Sequence, residues 1–324
     1  MLPLQYLFIG GEMFIAETLH AIQDQTYKNI NVIISLDGPQ PKVAAICQDF
    51  LTDSRFHCVV QSQRLGWVAH INLLMAQVDT PYWYCNAHDD LVHPCYVETL
   101  VNAAQQMPDA AVVYADLLGF GNQTFKLSQA SVTGSAFLRQ LTLLHEHFSA
   151  VAFRGLTRVS ALRQAGAIPA NSIQSFASDT IWMLAMARWG ELRRVPVPLY
   201  QKRYHPGNEH AAWFTWSAER ITQAYLRHCA AMLEQAMYVE ATPEQRQLLW
   251  LASVERLLST PFGFATSVHT PAARLELFTQ FLAYLRQYTN PGVPSWLEQS
   301  WSSIEQWTTD FFKVYAQARY CWHP

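Results

Sequence analysis

The run His88-Asp89-Asp90 closes the aromatic stretch YWYCNA (82–87) and sets two carboxylates side by side ahead of a turn and Pro94. Adjacent like charges repel, so a strand end presenting both is costly unless water or a cation compensates. A divalent cation, which binds carboxylate oxygens, is the first expectation. The plainer reading is a solvated turn in which one aspartate caps the helix starting near His93-Pro94. A second acidic strand end stands at Leu36-Asp37-Gly38, where glycine suits a chain turning tightly, either beside a ligand or simply as a turn. The six cysteines, at 47, 58, 85, 95, 229 and 321, contain no C-x-x-C pair and read as reduced thiols, offering neither a disulfide framework nor a zinc knuckle.

The elements that must carry these residues follow from hydrophobic period. Over the first 115 residues short β-like runs (LQYLFI, NVIISL, FHCVV, YWYCNA, AAVVYA) alternate with helix-period segments, the pattern of βαβ units and a mostly parallel sheet. Ile15, Leu19 and Ile22 share one helical face, as do Ile71, Leu74, Met75 and Val78, and Val97, Leu100, Val101 and Ala104. Ligands of open α/β sheets sit beyond the carboxyl ends of the strands, where Asp37 and Asp89-Asp90 both fall. From about 117 to 150 the pattern weakens around Gly119, Gly121 and Gly134, which predicts a loop. A further unit covers 148–169, a helix carries Ile181, Leu184, Ala185 and Arg188, and RVPVPLY (194–200) predicts a short closing strand.

After about residue 210 only helical signals remain, and we divide the chain into an α/β domain at 1–209 and a helical appendage at 210–324. Thr242-Pro243-Glu244-Gln245 is a capping box with proline at the first helical position, Thr270-Pro271 is a similar start, and Ser295 to Glu298 is another box. Trp213, Trp216, Trp250, Trp296, Trp301, Trp307 and Trp322 all lie in this region. Such residues stack on sugars or sit at membrane interfaces, but a helical bundle packing its aromatic stripe is the plainer account.

Composition narrows the class. Of 324 residues, 50% are hydrophobic and 15% charged, and 22 basic against 25 acidic side chains give −3, so the chain is globular with no nucleic-acid footprint. The apolar N-terminus lacks a basic leader and a cleavage site, and no apolar run reaches the roughly 18 residues of a membrane span. A cytoplasmic protein is expected, with peripheral contact at the inner membrane face and oligomerisation left open.

Three segments in unbroken order carry a family resemblance. FIAETLHAIQDQTYKNINVIISLDGPQ (14–40), RLGWVAHINLLMAQVDTPYWYCNAHDDLVHPCYVETLV (64–101) and SDTIWMLAMARWGELRRVPVPLYQKRYHPGN (178–208) resemble the inverting family 2 glycosyltransferases. The first is similar to a helix ending in Q-T-Y before an acidic D-D-G-S turn. The second is similar to an R-N helix leading to the metal-binding D-x-D region, and the third to an E-D helix start and a late R-x-H. Order over several motifs is more specific than any one of them. The resemblance implies a GT-A (Rossmann-like) α/β fold binding a nucleotide sugar, a UDP-sugar being the first expectation, with Mn²⁺ or Mg²⁺. It also implies transfer to a glycan, lipid-linked or protein-linked acceptor, commonly in bacterial surface polysaccharide synthesis.

Site roles follow from the same resemblance. Asp90 is the expected metal ligand and Asp89 lies nearer the donor ribose or sugar, Asp179 matches the general base, and Asp37 matches the nucleobase contact. Arg203 and His205 match the R-x-H that reaches the diphosphate or completes the metal shell. Arg64 is a candidate phosphate contact, although an exposed loop arginine accounts for it as simply, and Asn72 occupies the asparagine of R-N, with His70 standing near the missing arginine. The chemistry asks for these types: a cation offsets charge on the leaving diphosphate, and one carboxylate must deprotonate the acceptor hydroxyl. Asp179 could equally be a helix cap.

Departures from the family pattern keep a second class in view. LFIGGE replaces the P-x-Y-N turn, Leu36 and Pro39 replace polar groups of D-D-G-S, Ala87 replaces an extra aspartate, and Ser178 replaces the glutamate of E-D. A catalytically degenerate nucleotide-sugar or glycan-binding protein is the alternative. A nucleotidylyltransferase is disfavoured because IGGEMF has no basic residue, and a dehydrogenase because no G-x-G-x-x-G follows the first strand.

Overall fold

The computed structural model describes residues 4–8, 12–145, 150–171, 173–259, 271–287 and 309. Its first half alternates strand and helix: β1 (Leu4–Phe8), α1 (Ile15–Gln23), β2 (Asn31–Leu36), α2 (Pro41–Gln48), β3 (Phe56–Val60), α3 (Trp67–Gln77) and β4 (Tyr82–Cys85). β1 to β4 pair in parallel, in the order β3-β2-β1-β4. Every residue of β4 is buried, as expected of a strand covered on both faces. The helical faces read from the sequence point inward: Ile15, Leu19 and Ile22 of α1 and Ile71, Leu74 and Met75 of α3 are all buried.

The second half is mixed. It holds β5 (Leu91–Val92), α4 (Tyr96–Gln106), β6 (Ala110–Gly121), β7 (Phe125–Leu127), α5 (Ala136–His145), β8 (Leu156–Arg158), α6 (Val159–Ala165), α7 (Ser178–Trp189) and β9 (Glu191–Tyr204). The sheet continues from β4 through β8, β6 and β9 to β5, with β7 on the side of β6. β8 is antiparallel to both β4 and β6, whereas β6 and β9 are parallel. Through this arrangement the turn after β4 and the carboxyl end of β9 come to one rim.

Two expectations for this half are corrected. The loop expected over 117–150 contains the end of β6, then β7 and α5, and only 146–149 lie outside the described residues. Its glycines allow close approach instead of marking a loop: a Cβ on Gly119 would lie 2.6 Å from the Phe125 ring, and one on Gly121 (φ +89°) 2.5 Å from the Tyr204 carbonyl. The short closing strand is in fact 14 residues long. Its pairing with β6 slips between Ala115 and Leu117, opposite the segment carrying Pro196 and Pro198, because proline has no N–H to give the ladder.

A 3₁₀ turn (Glu209–Thr215) leads to α8 (Ala218–Met237), α9 (Pro243–Ser259) and α10 (Pro271–Gln287). α8 packs on α7 and α9, and α9 on α5, so the appendage shares its apolar core with the α/β region. The Thr242 box forms as read: the Thr242 N–H donates to Gln245 Oε1 at 3.0 Å and the Gln245 N–H to Thr242 Oγ1 at 3.3 Å. Trp250 is buried against Phe281 in this bundle, with ring centroids 6.3 Å apart. Trp296, Trp301, Trp307, Trp322, Thr270 and the Ser295 box lie outside the described residues. No helix among the described residues is long and apolar enough to cross a membrane.

Candidate active site

The turn after β4 is held before any ligand arrives. Thr18 of α1 donates to the carbonyls of His88 at 2.8 Å and Asp90 at 3.1 Å, and Asn86, itself bonded to Tyr84, donates to the carbonyls of Ala87 at 2.7 Å and Asp90 at 3.3 Å. These bonds aim the two carboxylates in different directions.

Asp90 points into the protein. It is 2% exposed; Oδ2 accepts from the Tyr200 hydroxyl at 2.6 Å, Oδ1 from the Arg203 backbone N–H at 2.9 Å, and Arg154 Nε stands 3.8 Å away. Burial, and then the neighbouring Asp89 charge, push its pKa up. Asp89 turns to the other side: Oδ2 accepts from His205 Nε2 at 2.9 Å and from Asn208 Nδ2 at 2.9 Å. The His205 Nδ1 accepts the Gly207 N–H at 3.1 Å, which assigns the ring proton to Nε2 and to the Asp89 bond. A carboxylate oxygen and an imidazole nitrogen, 116 residues apart in sequence, thus meet at one point.

Arg203 braces this arrangement. Its guanidinium donates to the Asp89 carbonyl at 3.0 Å, pairs with Glu17, and lies between the Phe14 and Phe120 rings, 4.3 and 4.4 Å from their centroids. Asp179 sits in the first turn of α7, partly buried, and bonds the N–H of Thr180 at 2.9 Å. Burial raises its pKa, while Arg154 and Lys202 pull it back. Lys202 is drawn down to about 8 by burial and by Arg154, with Asp90, Asp179 and Asp89 opposing. The structure therefore gathers Asp89, Asp90, Asp179, Arg203 and His205 in one electrostatic neighbourhood.

Sequence reasoning missed Arg154, Lys202, Tyr200 and Asn208. Tyr200, Lys202 and Tyr204 alternate along β9 and so share one face of the strand, a period-2 signal that was readable. Arg154 follows Ala150, whose φ of +52° is left-handed, and nothing local marks it.

The remaining predicted residues form the flank. The Asp37 carboxylate accepts the N–H groups of Leu65 at 2.6 Å and Gly66 at 2.9 Å, tying the 61–66 loop to the end of β2. Gly38 (φ +95°) lets the two segments touch, since a Cβ there would be 3.1 Å from the Arg64 nitrogen. The Arg64 side chain is exposed on that loop. His70, fully buried with its pKa lowered by desolvation, bonds Ser35 at 2.7 Å, so it serves the interior. Asn72 clamps the Ile168 backbone through both ends of its amide at 2.8 Å. Between α3, the 170–175 segment and the 206–215 segment opens a cleft of about 830 Å³ that reaches Asn208 and hence Asp89.

The nine-stranded mixed α/β sheet, with an acidic rim beyond β4 and an aromatic cleft beside it, matches the fold of GT-A type glycosyltransferases. The profile of the glycosyl transferase family 2 matches residues 10–166. That match, just under half of the chain, marks the region as a glycosyl transferase family 2 domain. Among solved structures, S. aureus TarS 1–349 in complex with UDP-GlcNAc aligns at TM-score 0.65 and 12% identity, covering 87% of this chain and 81% of that one. The mannosyltransferase PcManGT from Pyrobaculum calidifontis, in complex with GDP-Man and Mn²⁺, aligns at TM-score 0.55 and 14% identity, covering 99% and 87%. No curated protein sequence matches the chain.

Proposed function

We propose that the protein is a metal-dependent inverting glycosyltransferase moving one sugar from a nucleotide sugar, a UDP-sugar foremost, to a glycan, lipid-linked or protein-linked acceptor. The setting we propose is surface polysaccharide synthesis on the cytoplasmic side of a bacterial membrane. The observation that carries the reading is the meeting of Asp89 Oδ2 and His205 Nε2 at 2.9 Å on the strand-end rim. The UDP-GlcNAc of one structural neighbour and the GDP-Man and Mn²⁺ of another support a nucleotide-sugar donor and a divalent cation.

Among the described residues no cluster of three or more His, Cys, Asp or Glu forms a ready cation cage. Asp89 and His205 nevertheless fit Mn²⁺ in donor type, one carboxylate oxygen and one imidazole nitrogen, with the Nε2 proton that bonds Asp89 released as the metal binds. We assign the metal to these two. Asp90, both of whose oxygens are engaged, acts as the brace behind them, which reverses the order expected from the motif. The cation, when bound, supplies positive charge against the leaving diphosphate. Asp179 takes the proton of the acceptor hydroxyl; its burial lifts the pKa toward that of a useful base, while Arg154 and Lys202 oppose the rise. Arg203 holds the Asp89 backbone in register.

A thermal-shift series with UDP or GDP, with and without Mn²⁺, tests this on wild type and Asp89→Ala. At about 100 times its dissociation constant the nucleotide stabilises the native state by about 2.7 kcal/mol. The expected shift requires both Mn²⁺ and Asp89; a shift that survives Asp89→Ala and is indifferent to metal removes the assignment. In a diphosphate-release assay Asp179→Asn abolishes turnover while still binding nucleotide, and full turnover would dismiss it as the base. Nucleotide binding without any donor consumption by wild type would establish the degenerate alternative, which Leu36 and the occupied Asp37 carboxylate favour.

A further inference from the structure

We infer that the cleft beside Asp89 receives the acceptor, and that this acceptor is an uncharged sugar, bound by aromatic stacking and amide hydrogen bonds; the inference rests on the glycosyltransferase reading. The cleft, about 830 Å³, is large enough for one or two pyranose rings. Its lining carries no charge among the described side chains, and Asn208 in its wall bonds Asp89. A phosphorylated, sulfated or carboxylated acceptor would call for arginine or lysine in the wall.

Trp67 and Trp213 stand in the wall instead, partly exposed, each steadied from behind: Trp67 edge-on to Phe153 at 6.3 Å and Trp213 against Phe176 at 4.6 Å between centroids. A ring held this way offers a flat apolar face at little entropic cost, which suits the C–H face of a pyranose.

Gln174 and Ser175 supply the polar half. Both line the cleft, and their side-chain polar groups have no hydrogen-bond partner among the described residues. Both also hold left-handed backbone, φ +49° and +52°, as does Ala177 at +48°, in the segment that leads into Asp179. Non-glycine residues persist in that region only where the surroundings over-determine them, and such strain collects at ligand clamps. One strained segment therefore presents two free hydrogen-bonding side chains to the cleft and leads, four residues beyond Ser175, to Asp179. An acceptor hydroxyl gripped by Gln174 and Ser175 is delivered toward Asp179.

The test is binding of the full-length protein, with UDP and Mn²⁺ present, to an array of neutral oligosaccharides and of phosphorylated, sulfated and uronic-acid oligosaccharides. Nucleotide binding is measured in parallel by thermal shift. Retention confined to neutral glycans is expected. Trp213→Ala should weaken retention by about tenfold, equivalent to about 1.4 kcal/mol, with the UDP shift unchanged. Because Trp213 also packs on Phe176, Gln174→Asn provides a second variant that tolerates left-handed backbone and shortens the amide; it should weaken retention severalfold. Preference for anionic glycans, absence of glycan binding while UDP still binds, or loss of UDP binding in place of glycan binding in both variants would overturn the inference. Absence of UDP binding by wild type would instead strike the glycosyltransferase reading beneath it.

Discussion

The Asp37 carboxylate offers the cleanest separation of a structural role from a ligand role. It accepts two backbone N–H groups, from Leu65 at 2.6 Å and Gly66 at 2.9 Å, and these bonds cross 28 and 29 residues of chain. A hydrogen bond to a charged group contributes about 1.5–3 kcal/mol. Both amides belong to a partly exposed loop that water can reach after the carboxylate is removed, so Asp37→Ala should cost about 3 kcal/mol in total and not the full sum. Unfolding entropy of about 2.1 cal/mol/K per residue amounts to about 0.7 kcal/mol/K over 324 residues, so Tm should fall by about 4 °C. Asp37→Asn keeps one acceptor but turns an N–H toward the other amide, and should fall at least half as far. Differential scanning fluorimetry without nucleotide reads the effect directly, and Arg64→Ala on the same exposed loop should leave Tm unchanged. If Asp37→Ala melts within 1 °C of wild type while losing UDP affinity, the loop is not held by this carboxylate and the reasoning fails.

Two further expectations concern pH. Lys202, lowered to about 8 by burial and Arg154, penalises the native state wherever it is charged. Between about pH 8 and 10.5 the unfolded chain holds more protons, so wild type gains stability relative to Lys202→Met as pH rises. At pH 7 the methionine variant should be the more stable by on the order of 2 kcal/mol, and equal melting curves at both ends of that window would refute it. Asp116 behaves oppositely: Arg194, bonded at 2.6 and 2.8 Å, and Ser128 at 2.9 Å hold its carboxyl below the usual range. Its contribution is complete above about pH 4 and is lost as pH falls through the lowered native pKa, so Asp116→Asn should cost about 3 kcal/mol at pH 7 and progressively less in acid. A cost independent of pH would show that shape, not charge, is what Asn fails to supply.

Much of the fold was open to reading because the signals are local. The runs NVIISL, FHCVV and YWYC are strands since β-branched and aromatic residues flanked by turns pack well on a pleated surface, and the faces of α1, α3 and α4 bury the stripes their spacing drew. Gly119 and Gly121 misled because glycine carries two meanings. Sequence alone does not distinguish a turn from a place where a Phe125 ring or a Tyr204 carbonyl comes too near for a Cβ.

For the site, the sequence by itself determined the chemical inventory: carboxylates at two strand ends, a base candidate at a helix start, and an R-x-H after the last strand. Which of them meet was decided only by tertiary structure. The parallel register of β6 with β9 and the pairing of β5 with β9 carry Tyr200, Arg203 and His205 to the Asp89-Asp90 turn, and the held backbone of that turn sends Asp90 inward and Asp89 toward the cleft. Arg154, placed by a left-handed turn and strand β8, enters the site with no motif of its own. The reason is one of range: side-chain period and turn chemistry act over a few residues, whereas contacts spanning 110 or 116 residues depend on strand order and pairing register, which no local pattern encodes.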